Sequence, residues 1–197
     1  MQVNGNSRTG GIGGIAFGVL MFVAFVLASP PGGNYTASSV ADFVAKGHRT
    51  SVIASLYLVL LAVLGLLALL RELARDSLAW GLGIASAASI AIGWGLICTP
   101  SLALAYGGAG GASIEPSVAY TICEGGFVVL CGAGGVLLGL SLLVTAVALR
   151  GWVRWFAGVV GVIALASAAW FPFFVLLLGG VVLGIWLLTA RREPAVV

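Results

Sequence analysis

The chain has 197 residues, of which 61% are hydrophobic and 8% charged, with a formal net charge of +3. An ordinary soluble domain carries about 25% charged residues, so the composition excludes a soluble enzyme and points to a protein solvated by lipid. The basic residues stand singly or in pairs at the ends of apolar runs, a pattern that encodes membrane topology, and no nucleic-acid partner is expected.

Lipid offers no partner for backbone N–H and C=O groups, so long apolar runs must be helical. Six such runs are visible, at about 11–29, 51–70, 78–98, 125–149, 152–170 and 173–190. Each is close to the roughly 20 residues that a helix needs to cross about 30 Å of hydrocarbon. The expected fold is all-α: a polytopic membrane helix bundle with six transmembrane helices in the cell membrane. A tail over 1–10 and another over 191–197 flank a transmembrane domain over 11–190. The first run has some features of a signal peptide, with "VLASP" offering small residues for cleavage. Its length, about 19 residues against about 7 to 15 for a signal core, favours an uncleaved first span.

After the first span, "PPGGNYTASSVADFVAKGHRTS" holds Ser39 followed three residues later by Asp42, which resembles a capping box. A short helix over 40–45 is expected near the outer surface, with Gly47 redirecting the chain into the second span. "RELARDS" over 71–77 reads as a charge-balanced inner turn. The connection over 100–115 is glycine-rich, and Pro116 suits the first turn of the next helix. From there to residue 149 is 34 residues, about 51 Å of helix at 1.5 Å each. That helix either stands proud of the bilayer or is broken, and Gly125–Gly126 is the obvious place for a break. Arg150 and Arg154 beside Trp152 and Trp155 form an interfacial anchor. Pro172 within "FPF" marks a tight hairpin between the last two spans.

The distribution of Lys and Arg sets the orientation. With the N-terminus inside, Arg8, Arg71, Arg75, Arg150, Arg154, Arg191 and Arg192 fall inside, and Lys46 and Arg49 fall outside. This bias places both termini in the cytoplasm, provided that 152–190 crosses twice.

The stretch "VAYTICEGGFVVLC" places Glu124 where an apolar chain enters the membrane. Helical spacing puts Tyr120, Glu124, Phe127 and Cys131 on one face. Two readings are open: an ion pair between Glu124 and Arg49 or Lys46, or a ligand or proton site with His48 as a titrating partner. No second carboxylate shares the face, so paired acid–base catalysis has no support, and no catalytic residue is assigned. Cys98 and Cys123, at the ends of two spans, are candidates for a disulfide or are simple fillers, and Cys131 reads as packing. The cysteine spacings are not those of a metal site, and neither metal nor cofactor is expected. Small residues four apart, at Gly14/Gly18, Gly135/Gly139, Ala157/Gly161 and Gly180/Gly184, predict close helix crossings.

The segments "SPPGGNYTASSVADFVAKGHRTSVIASLYLVLLAVLGLLALLRELAR" and "ALRGWVRWFAGVVGVIAL" resemble small multi-span actinobacterial membrane proteins of unknown function. The resemblance implies a bacterial membrane location and a helical fold, and carries no activity or site residues with it. The function expected is that of a non-enzymatic accessory or lipid- or hydrophobic-ligand-binding component, with membrane lipid, a membrane protein or a second copy as partner. The alternative is a small-solute or proton-coupled transporter using Glu124 at the outer face.

Overall fold

The structure is a computed structural model that describes residues 7–33, 35–74, 76–106, 113–169 and 171–189. All regular secondary structure among them is helical: α1 (Ser7–Ala28), α2 (Ala37–Val44), α3 (Arg49–Leu73), α4 (Ser77–Tyr106), α5 (Pro116–Phe127), a π-helical segment (Val128–Gly135), α6 (Val136–Ala148), α7 (Trp152–Ala164), a 3₁₀ turn (Ser167–Ala169) and α8 (Phe171–Thr189). Five helices, counting α5 through α6 as one rod of 33 residues, are long and apolar enough to cross a membrane. This is the architecture of a multi-pass membrane protein.

The sixth expected crossing is shorter than its apolar run. α7 has 13 residues, about 20 Å of helix, and the chain then tightens through i→i−3 bonds from Leu165 N to Val162 O (3.2 Å), Ala166 N to Ile163 O (3.0 Å) and Ala169 N to Ala166 O (2.9 Å). A helix continuing to Pro172 would drive the pyrrolidine ring into the carbonyl one turn earlier. Pro172 instead occupies the first turn of α8, where its missing N–H costs nothing. α8 then returns alongside α1 and brings Leu188 beside Gly11, so the two ends of the described chain lie together.

Glycine lets the backbones touch. A Cβ on Gly14 would lie 2.6 Å from Gly180 O and 3.0 Å from Gly184 Cα, and one on Gly13 would lie 2.5 Å from Gly65 O. These crossings bind α1 to α8 and to α3. A Cβ on Gly139 would lie 2.8 Å from Gly161 O across the α6–α7 crossing. Each of the four predicted small-residue pairs thus contributes to a helix crossing or, at Gly135, to the contact with Ser167. Hydroxyls add a seam between α4 and the long rod: Ser86 Oγ donates to Gly134 O (2.7 Å) and Ser141 Oγ to Ala79 O (2.7 Å).

Two boundaries differ from the sequence reading. α4 does not stop at Cys98; it runs through Pro100 to Tyr106. A proline removes the donor for the carbonyl four residues earlier, and here Thr99 Oγ1 donates to Gly95 O (2.8 Å) beside the interruption. α2 starts earlier than expected, and Ser39 is not its cap. Thr36 holds the N-cap position in extended geometry, while Ser39 Oγ donates back to Thr36 O (2.9 Å) and Asp42 is exposed. In the "RELARDS" turn, Asp76 caps α4 by accepting from Leu78 N (2.7 Å). Arg75, the glycine-rich residues 107–112 and the expected C-terminal tail over 191–197 lie outside the described residues, as do residues 1–6 of the N-terminal tail.

The long rod is unbroken at Gly125–Gly126, and the deviation comes just after the pair, as eight π-helical residues. Buried positions recur every four residues, at Ala119, Cys123, Phe127, Cys131, Gly135 and Gly139. At 3.6 residues per turn a step of four overshoots by about 40°, so five steps in a regular helix would rotate the stripe by about 200°, away from the bundle. The wider π turns absorb that drift.

Candidate functional site

The site lies at the end of the bundle capped by α2. Val40 and Phe43 are the buried face of this short amphipathic helix. Phe43 O accepts from Ser101 Oγ (3.2 Å), which ties α2 to the last turns of α4. Beneath it, Phe25, Trp94, Phe127, Phe173 and Phe174 form an aromatic cluster, with Phe25 edge-on to Trp94 at 4.7 Å and stacked on Phe127 at 6.5 Å. Trp94 Nε1 donates to Ser55 Oγ (3.1 Å), so the buried indole is satisfied.

Glu124 sits in the third turn of α5, half-buried, and its Oε1 is fully buried without a hydrogen-bond partner. Tyr120, one turn earlier, interacts with Glu124 and donates its hydroxyl to Gly33 O. Its ring packs edge-on against Tyr35 at 5.2 Å. Phe127 and Cys131 continue below as buried residues.

The expected ion pair is not formed. Among the described residues Glu124 has no basic partner, because Arg49 is engaged elsewhere: Nε donates to Val44 O (3.1 Å) and Nη1 to Leu104 O (3.0 Å). Those carbonyls belong to the last turns of α2 and α4, where no intrahelical donor is available, so the guanidinium acts as a C-terminal clasp for two helices. Lys46 is exposed on the turn between α2 and α3. His48 is not brought to Glu124 either; its Nε2 bonds Ala28 O at 2.7 Å, with the nitrogen donating, and fastens the end of α1.

The candidate disulfide is likewise absent, and Cys98, Cys123 and Cys131 are all free and buried. Both Cys98 and Cys123 lie within helices, and their thiols face backbone carbonyls: Cys98 Sγ lies 3.8 Å from Val52 O, and Cys123 Sγ lies 3.4 Å from Ile97 O. Among the described residues no group of three or more His, Cys, Asp or Glu side chains could hold a metal ion.

The sequence reading missed Gly33, Tyr35, Ser101 and Leu104. Two of them act through backbone carbonyls, which carry no residue-type signal, and the other two are ordinary residues far in sequence from the groups they touch. Chemically, the site offers one buried carboxylate oxygen with an acceptor position unfilled by protein. A buried unpaired acceptor costs about 1–3 kcal/mol, and more when charged. Such a group gains from a proton, a small cation or a hydrogen-bond donor on a ligand.

Comparisons with family models, with curated proteins and with solved structures give no match to this chain.

Proposed function

We propose that this multi-pass membrane protein is a small-solute or proton-coupled transporter in which Glu124 receives a proton or a small cationic solute. The observation that carries the reading is the buried Oε1 of Glu124, which has no hydrogen-bond partner. Intramembrane carboxylates that face protein without a basic partner mark ion and substrate pathways. The π segment begins four residues after Glu124, and departures from regular helix are frequent at functional sites. In this reading the α2 end faces outwards, because Arg8, Arg71, Arg150 and Arg154 all sit at the opposite end.

The test uses proteoliposomes on a solid-supported membrane, challenged with a pH jump or with small organic amines. Wild-type protein is expected to give a transient current with one of these, Glu124→Gln to abolish it, and Glu115→Gln, a change on the exposed connection, to retain it. Equal currents from wild type and a folded Glu124→Gln variant would overturn the proposal. A second reading, an accessory component that holds a hydrophobic ligand, is favoured by an apolar groove of about 310 Å³ between α1 and α8, lined by Gly18, Phe22, Phe174 and Leu178 among others.

A further inference from the structure

At the end of the bundle opposite α2, a recess of about 570 Å³ opens between the start of α1, the end of α3 and the start of α4. Its lining divides into two chemical zones. Leu67, Ala68, Ala74 and Trp80 supply apolar and aromatic walls, while Thr9, Arg71 and Glu72 supply a hydroxyl, a cation and an anion. Arg71 and Glu72 are neighbours in sequence, yet helix geometry turns adjacent side chains about 100° apart. Among the described residues no ion pair or hydrogen bond joins them or occupies the charged end of either. Glu72 has a fixed stem: a Cβ on Gly10 would lie 2.5 Å from its Cγ and 2.9 Å from its Cβ, so the absence of a side chain at Gly10 is what admits it.

From this arrangement we infer that the recess binds the headgroup of a zwitterionic phospholipid carrying a primary ammonium, a phosphoethanolamine lipid. A guanidinium offers two parallel N–H donors that match phosphate oxygens, and Thr9 adds a hydroxyl. Glu72 offers a carboxylate to the ammonium, an ion pair that a purely anionic headgroup cannot form, and its charge repels such a headgroup. The indole of Trp80 suits the interfacial depth where headgroup meets acyl chain. Leu64 and Leu60, exposed apolar residues of α3, follow within two turns of Leu67, so a ligand with acyl chains fits better than a soluble phosphodiester. The inference does not depend on the role of Glu124, which lies at the other end of the bundle.

The test measures lipid retained by detergent-purified protein, using native mass spectrometry after exchange into an equimolar mixture of phosphatidylethanolamine and phosphatidylglycerol. Wild-type protein is expected to retain phosphatidylethanolamine preferentially. Arg71→Gln should lower retention of both lipids about tenfold, as loss of a charge-assisted phosphate contact implies, and Arg71→Lys should restore part of it. Glu72→Gln should leave total retention near the wild-type level and shift the preference towards phosphatidylglycerol, a change of selectivity that a purely structural glutamate would not produce. Arg71 is exposed, so Arg71→Gln should keep its elution volume and helical circular dichroism. Unchanged lipid selectivity in Glu72→Gln, or unchanged retention in Arg71→Gln, would overturn the proposal. So would binding of soluble glycerophosphoethanolamine in place of the lipid.

Discussion

Gly125 and Gly126 are adjacent in α5, and a methyl group added to each should have opposite consequences. A Cβ on Gly125 meets nothing within 4 Å, whereas one on Gly126 would lie 2.6 Å from Gly93 O, 2.7 Å from Ile97 Cγ1 and 2.8 Å from Ile97 N. Two of those three atoms are backbone and cannot rotate away, so α4 and α5 must move apart. Overpacking of this kind costs about 1–3 kcal/mol. Replacing Gly by Ala also favours the helix by about 1 kcal/mol, but this contribution is common to both variants and cancels in their difference. Gly126→Ala should therefore be about 1–3 kcal/mol less stable than Gly125→Ala, and Gly125→Ala should equal or exceed the wild type. Reversible unfolding in mixed micelles, followed by circular dichroism, measures the difference. A Gly126→Ala protein as stable as Gly125→Ala would refute the close α4–α5 crossing and, with it, the placement of Glu124 two residues away.

Ser86→Ala removes the donor to Gly134 O within the π segment and should cost about 1 kcal/mol in the same unfolding assay; a neutral result would mean that this carbonyl finds another donor. The orientation is tested in a cysteine-free background with a membrane-impermeant maleimide on intact cells. Cysteine at Ser38, exposed on α2, should be modified, and cysteine at Ser77, exposed at the start of α4, should be spared. The reverse pattern would invert the topology.

The parts of this fold legible in the sequence are those governed by short-range rules. Apolar runs gave helices, because a backbone in hydrocarbon has no other means of satisfying its polar groups, and small residues four apart did mark close crossings. The errors arose where a local signal had a competing use. Pro100 looked like the end of α4, yet a long helix in lipid tolerates an internal proline, which takes the donor from one carbonyl only, that of Leu96; the adjacent Gly95 O accepts from Thr99 Oγ1. The run over 152–170 was long enough for a span, yet Pro172 and the contact of Ser167 with Gly135 end its helix at Ala164. The π segment has no residue-type signature at all. It follows from the four-residue recurrence of buried positions, which becomes visible only once burial is known.

Glu124 shows why a shared place at the membrane boundary does not predict pairing. Arg49 stands near the membrane boundary and looked like a natural counter-ion, but a guanidinium has five donors and two helix ends with unfilled carbonyls lay within its reach. By satisfying Val44 O and Leu104 O, it holds α2 and α4 together at the mouth of the site and leaves the carboxylate to other partners. Were Glu124 merely a packing residue, an apolar side chain at this position would avoid the cost of an unfilled buried acceptor. The carboxylate stands one turn from Tyr120 and four residues before the π-helical segment, with one buried oxygen open to a proton or a ligand donor.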